Sequence, residues 1–558
     1  EDSPRGLSFN ASKLIPTDWA RHIRYDDRLA SGQDIAFYGG LYATYDFVFG
    51  MVPATFDAVY HRSLSDDSQS RRQPDFEFAV QERLAVIESL AERLPHAPNE
   101  KRPVLNSLMR AQALFIRRFL DENPESRRTV NKAVFERSIP SFPWDVLTTG
   151  AATTLVVSVC FPPYSDASAV TVAKRINESG NVVDVLCCDM SEVRGIDLSL
   201  ELLVLGLVGS AIEVTSDVSF SNWSNIRQFV SEGVELAETL DAWPYEQLYS
   251  RAMWPASHIL AAAIKLRRPS THWVAEFSDP LSRDVGGRPR PGTLPDDQFV
   301  DQLLASASNA CGIELPVASS VFALAELLPY ALADEVVFTN GAQMRYMLSY
   351  CPSDELTQLV EEKATIAPHP VPSDELYRLV KAVGPDHGDK VALGYFGSFY
   401  ENRSLQDLLL ALSTVPDEVR RGVALDVYTA QGDQLEQVIT DRALGDIVSV
   451  RSTVGYLEFL NLTTQYDCLV VEDAVTSQTH QENPYLPSKW SDYRGSGTAV
   501  WAFTEPGSTL SGLSPQYQTH LGDTTAAVAT LTELVDHSAR SERDLATAAD
   551  ATPNEPGH

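Results

Sequence analysis

The sequence predicts an α/β protein: two doubly wound parallel-sheet domains in tandem, preceded by a mainly helical N-terminal domain. Three observations predict it. From residue 150, short β-branched apolar runs alternate with helical stretches, which is the pattern of a parallel sheet covered by helices. The alternation stops at a segment rich in Pro, Gly and charge, 368–390, and then restarts, so that segment reads as a hinge or linker. Residues 1–145 carry helical periodicity without the alternation. The domains that follow are 1–145, 150–370 and 385–540, with 541–558 as a disordered tail rich in Ala, Asp, Glu and Pro. A chain of 558 residues has room for three to four domains at ~100–200 residues each.

In the first region, DFEFAVQERLAVIESLAERL (75–94) and VLNSLMRAQALFIRRFLDE (104–122) place apolar residues at helical spacing. Pro103 suits the first turn of the second helix. The segment 36–53 is aromatic, with Tyr38, Tyr42, Tyr45, Phe47 and Phe49. These rings are either core or a surface for a partner or acceptor, docked on the first α/β domain or used in self-association. Next come strand TTLVVSVCF (153–161), a Pro162-Pro163 turn, helix ASAVTVAKRINES and strand NVVDVLCCD (181–189). The helix SHILAAAIKLRR (257–268) precedes the strand HWVAEFSDP (272–280), and DEVVFTN (334–340) is a later strand. The second α/β region reads KVALGYFGS (390–398), helix SLQDLLLALSTV, then strands GVALDVYTA (422–430), DCLVVED (467–473) and TAVWAF (498–503), and a closing helix TTAAVATLTELVDHSA.

Composition narrows the function. Asp and Glu number 76 against 44 Lys and Arg, a net charge of −32. A field of that sign repels nucleic-acid backbones and anionic lipid, so no nucleic-acid partner is expected. Peripheral membrane contact would need a local patch, for which Lys265, Arg267, Arg268, Arg283, Arg288 and Arg290 are candidates against the alternative of ordinary solvated cations. No apolar run reaches the ~18–20 residues of a membrane helix. The longest, LELLVLGLVGSAIEV (200–214), reads as a buried helix or strand pair. The six cysteines form no Cys-x-x-Cys pair, and most sit in apolar runs, which fits buried thiols and a reducing compartment. The chain begins at Glu1 without Met, as expected of a trimmed or processed start.

Two constellations carry chemistry. Strand 390–398 ends in Gly397-Ser398, and six residues after the glycine comes Arg403, followed by Ser404 and Asp407, which resemble a capping box. A glycine at a strand end, a helix N-terminus and an arginine make an anion site, or else a plain turn with a surface cation. The other is ENPYLPSKWSDYRGSGTAVWAF (482–503). Between Arg451 and Arg540 the only basic residues are Lys489 and Arg494, both in one short helix that starts at Pro487-Ser488. Asp492 lies on the same helical face as Lys489. That pair suits a nucleoside diphosphate, the cation on phosphate and the carboxylate on ribose hydroxyls, or else it is an internal ion pair.

Several segments, in order, resemble retaining GT-B glycosyltransferases of family four, especially bacterial members that assemble surface polysaccharides. They are 161–176, 254–280, 333–348 with 366–371, 395–404 and 484–500, spanning roughly residues 150–535. The resemblance implies an acceptor-side domain at 150–370 and a donor-binding domain at 385–540. It implies that Arg403 and Lys489 hold the donor diphosphate with Gly397, Ser398 and Ser488 around it, and that Asp492 binds the ribose. The first of the two glutamates that family members carry falls at Pro484, a departure that leaves Glu482 as the candidate for the donor sugar. His258 would lie near the reacting sugar, Asp279 would end a strand at the cleft or cap it before Pro280, and His369 is a loop residue or a donor contact.

The implied activity is transfer of a sugar from a nucleotide-sugar donor to a glycan or lipid-linked acceptor in cell-envelope polysaccharide assembly. The implied location is cytoplasmic, at or near the inner face of the plasma membrane, and homo-oligomers are a further expectation. No cofactor and no obligatory metal is expected, since no Asp-x-Asp motif is seen. In such an enzyme fixed cations lower the barrier by stabilising charge that grows on the leaving phosphate. Two alternatives remain: a catalytically silent module acting as a partner subunit, and a sugar-nucleotide 2-epimerase.

Overall fold

A computed structural model of the chain describes residues 13–47, 75–400 and 403–550, with 538–550 given by backbone alone. Residues up to Ala152 fall largely in one compact unit, and everything that lines the cavity described below lies in another.

The first unit is helical among its described residues up to 149. Helices span Gln33–Thr44, Glu82–Ala91, Arg102–Glu122 and Arg127–Arg137. Pro103 sits in the first turn of the third, where its missing N–H is harmless. Leu84, Ile87, Leu90, Leu105, Leu108 and Ile116 form its core. Phe37 and Tyr38 are buried in that core, and Tyr42, Tyr45 and Phe47 pack against it. Trp19 stacks on Tyr45 at 4.5 Å. The described aromatics are therefore core; Phe49 lies outside the described residues.

The two sheets are parallel and doubly wound. The first contains β1 (Thr154–Val157), β2 (Val183–Cys187), β3 (Val208–Glu213), β4 (Gln247–Ala252), β5 (His272–Phe277), β6 (Glu335–Phe338) and β7 (Ala364–Ile366), in the order β3-β2-β1-β4-β5-β6-β7. The second contains β8 (Val391–Phe396), β9 (Val423–Tyr428), β10 (Val448–Arg451), β11 (Cys468–Glu472), β12 (Ala499–Thr504) and β13 (Tyr517–His520), in the order β10-β9-β8-β11-β12-β13. Strands β1, β8, β9 and β11 are buried along their whole length. That explains why they read as unbroken apolar runs: helices cover both faces of the sheet. Each fully buried Leu or Val contributes about 1.5–3 kcal/mol.

Strand order reverses between β1 and β4 in one sheet and between β8 and β11 in the other. In open α/β sheets the crevice outside the carboxyl ends at such a reversal is where ligands bind.

The linker is narrower than 368–390. Arg175, in the helix Ala167–Ser179, donates to the carbonyls of Ala367 and Pro368 at 2.9 Å each. From Tyr377 the chain is bonded to the second domain: Asn461 donates to the Tyr377 carbonyl at 2.7 Å, and the Ala382 amide donates to Asn461 at 2.8 Å. The crossover therefore lies between Pro368 and Tyr377.

The run 200–214 resolves into the end of a short 3₁₀ turn, Leu198–Leu203, and the strand β3. The closing helix runs from Thr524 to Asp550, through ten residues read from sequence as disordered tail; 551–558 lie outside the described residues. No helix among the described residues is long and apolar enough to cross a membrane. All six cysteines are free, and Cys160, Cys187, Cys188 and Cys468 are buried.

Candidate functional site

A cavity of about 380 Å³ sits at the reversal of the second sheet. Its floor is the end of β8, with Tyr395, Phe396, Gly397 and Ser398, beside the end of β11, with Val471 and Glu472. Arg403, Ser488, Lys489 and Asp492 also line it, and Asp166, Thr171, Lys174 and Asp197 close it from the first domain. The six residues assigned from sequence to the donor thus share one cavity, although Arg403 and Lys489 are 86 positions apart.

Arg403 follows a tight turn in which its amide and that of Tyr400 exchange hydrogen bonds with each other's carbonyls at 3.0 and 2.9 Å. Its Nε is buried and has no partner among the described residues. The helix beyond it does not start with the expected capping box. It spans Gln406–Thr414 with Leu405 in the left-handed region at φ 55°, and no side chain caps it. Glu472 reaches from β11 and accepts from the Leu405 amide at 2.9 Å, while Asp407 accepts from the Gly522 amide at 2.8 Å. Burial pushes the Glu472 carboxyl up to about 7, against the Leu405 amide bond and Arg403. Its neighbour Asp473 accepts from the Glu505 amide and the Ser508 hydroxyl, and burial raises it to about 6.

Lys489 opens the helix Lys489–Ser496, which ends at Gly497 with φ 78°, a conformation that glycine adopts without strain. Its ammonium lies 3.7 Å from the centre of the Phe459 ring and 4.0 Å from Asp492. Removal from water lowers its pKa, Asp492 raises it and Lys174 lowers it further. With about a third of its side chain exposed, it sits in a crowded cavity wall and not in a sealed core. Asp492 is only 3% exposed, and its carboxylate is already engaged. Lys174 Nζ and the Tyr456 hydroxyl both donate to Oδ1, at 2.9 and 2.8 Å. The internal ion pair and the cavity-lining position therefore coexist in this residue.

The three residues assigned to catalysis are not in the lining. His258 is fully buried in the first domain: Nδ1 is 2.8 Å from the Ser250 hydroxyl, and the ring meets Phe277 edge-on at 4.8 Å. Burial, with Arg251 nearby, pushes it down to about 3, so it is a neutral core histidine. The helix it belongs to, Ala256–Arg267, turns this side chain against the sheet. Glu482 is exposed and forms an ion pair with Arg345 at 2.7 Å. Asp279 follows β5 and faces the cleft. The crowded cleft raises its carboxyl, with Arg251, Arg290 and Arg403 opposing, although water still reaches it. His369 is fixed beside Arg251, with its Nε2 3.3 Å from a guanidinium nitrogen.

The proposed basic patch divides. Lys265, Arg267 and Arg268 end a helix just before β5 begins, whereas Arg283, Arg288 and Arg290 follow the end of β5, at the opposite edge of the sheet. Lys265 is nearly buried and pairs with Asp334 at 2.7 Å. Sequence reasoning missed Lys174, Asp197, Tyr456 and Glu472. Only Lys174 left a signal, as the one charge on the buried face of its helix.

No family model matches the chain, and no curated protein matches it. Solved structures do match in fold. HepE of Anabaena, solved with UDP-glucose, shares 13% identity over 69% of this chain and 90% of its own, with a TM-score of 0.42. Sucrose-phosphate synthase of Thermosynechococcus elongatus shares 13% over 70% and 90%, at 0.43. WaaG, a glycosyltransferase involved in lipopolysaccharide biosynthesis, shares 12% over 68% and 90%, at 0.41.

Proposed function

We propose that this cavity binds the nucleoside diphosphate of a sugar donor and that the protein is a glycosyltransferase. The observation that carries the reading is Arg403: a guanidinium whose buried Nε has no partner among the described residues, lining the same cavity as Lys489 at the reversal of the second sheet. An unmatched buried donor costs free energy unless a ligand satisfies it. Two cations and a carboxylate in one cavity match a diphosphate and a ribose. Both cations would stabilise charge growing on the leaving phosphate.

Asp279, an exposed carboxylate just after β5 that feels the charge of Arg403, is the acidic group we propose for the acceptor. The acceptor we propose is a glycan or lipid-linked sugar, the stereochemistry is retention, and transfer proceeds without an obligatory metal. A thermal-shift screen against UDP, GDP, ADP and TDP, followed by a donor-hydrolysis assay, tests the reading. A shift with one nucleotide and release of free sugar is the expected result. No shift with any of them would overturn it, and a shift without hydrolysis or transfer would favour the silent partner subunit.

A further inference from the structure

One wall of the cavity is built by both domains. Lys174 belongs to the helix after β1, and its ammonium donates to Ser491 Oγ and Asp492 Oδ1 at 2.9 Å each. Lys174 and Asp492 are both 3% exposed. Tyr456 completes the seam: its hydroxyl donates to the same Asp492 oxygen, and its amide donates to Asp197 of the first domain at 2.7 Å. The seam also sits beside the crossover. Arg175, next to Lys174, holds the carbonyls of Ala367 and Pro368, and the Tyr377 hydroxyl donates to the Asp492 carbonyl at 2.5 Å. The two ends of the crossover are thus tied to the two sides of one ion pair.

We propose that Lys174 is a positioning residue of the site, supplied by the first domain, which holds the two Rossmann-like domains closed around the cavity by bridging to Ser491 and Asp492. The bond exists only when the domains meet, so its whole contribution favours the closed state. If the ammonium is removed, a buried carboxylate keeps the Tyr456 hydroxyl and, 4.0 Å away, the Lys489 ammonium, and loses its closest cation. The readiest relief is for the cleft to open and admit water. The nucleotide reading enters only in what closure encloses: nucleoside diphosphate would be gripped by Arg403 and Lys489 in the second domain, and Lys174 would bring the first domain against it.

Small-angle scattering of the full-length protein, without ligand and then with saturating UDP, GDP or ADP, tests the proposal. A compact chain of this length has a radius of gyration of roughly 24 Å, and Lys174→Met is expected to add roughly 1 Å or more. Asp492→Asn is expected to open the protein by a similar amount. If Lys174→Met does not fold, the double variant Lys174→Met/Asp492→Asn, which removes both charges of the bridge, is read in the same way. A variant as compact as wild type but lower in melting temperature would overturn the proposal, since the pair would then be a structural ion pair only. Opening in Lys174→Met while wild type binds no nucleotide would leave the latch standing and remove the nucleotide reading. Nucleotide binding with no opening would do the reverse.

Discussion

The carboxyl edges of the two sheets treat charge in opposite ways. At the first, Arg175 and Arg251 both end on Glu276, and Tyr249 donates to the same carboxylate at 2.8 Å. Arg251 is 2% exposed and Glu276 1%. Among the described residues of the second, Arg403 has a buried nitrogen with no partner, and Lys489 has only an aromatic face and a carboxylate 4.0 Å away. Charge that is matched internally serves the fold, whereas charge left unmatched around a cavity is available to a ligand. Substitutions at the two edges should therefore fail in different assays.

The largest effect is expected at the matched edge. Glu276→Ala strands the buried Arg251 guanidinium and takes one partner from Arg175, and should cost ~3–5 kcal/mol of stability, read by urea unfolding. Arg403→Ala removes an unmatched group and should change stability by less than about 1 kcal/mol. Equal losses in the two variants would erase the contrast.

Next in size is a pH effect at Glu472. Its folded pKa, about 7, lies above the ordinary carboxylate value, so the folded state holds a proton that the unfolded state has released. Stability from this group is full below about 4.5 and is lost as pH rises through about 7. Glu472→Gln keeps an acceptor for the Leu405 amide without the charge. It should match wild type near pH 4 and exceed it by about 2–3 kcal/mol at pH 8. A difference that does not change with pH would mean that the folded Glu472 carboxyl is not raised above its unfolded value.

Lys489→Ala sharpens the comparison from the ligand side. A lost charge-assisted phosphate contact costs ~1.5–3 kcal/mol, or about 10- to 150-fold in nucleotide affinity, while stability stays near wild type. Calorimetric titration with the nucleotide found by the thermal-shift screen reads it. An unchanged affinity would remove Lys489 from the site.

The same contrast shows what could be read from the sequence. Strands β1, β8, β9 and β11 were legible because burial on both faces demands unbroken apolar runs. Strand β4 was not, because Gln247, Ser250 and Arg251 interrupt QLYSRA, and Arg251 is tolerated only because Glu276 lies beside it in the register of β5. The short or half-exposed β3, β7, β10 and β13 carry too little apolar signal to stand out. Arg403 could be found because it follows a glycine at a strand end, and Lys489 because cations are rare in its acidic stretch. Lys174 meets Asp492 across 318 positions, a pairing that no local pattern encodes. The Ser257-His258 pair was visible, but the direction of its ring is set by packing against Phe277.

The smallest effect is expected from the helical region. Its described helices bury Leu84, Ile87, Leu105 and Ile116 in a core of their own, and no residue of that region lines the cavity. A domain with its own core can be removed without unfolding its neighbours. Deleting residues 1–140 should therefore leave nucleotide affinity within about threefold of the intact chain, well under one kcal/mol. Transfer to the natural acceptor, or the oligomeric state measured by light scattering, should change instead. A truncated protein that is folded by circular dichroism yet no longer binds nucleotide would show that the donor site depends on the helical region.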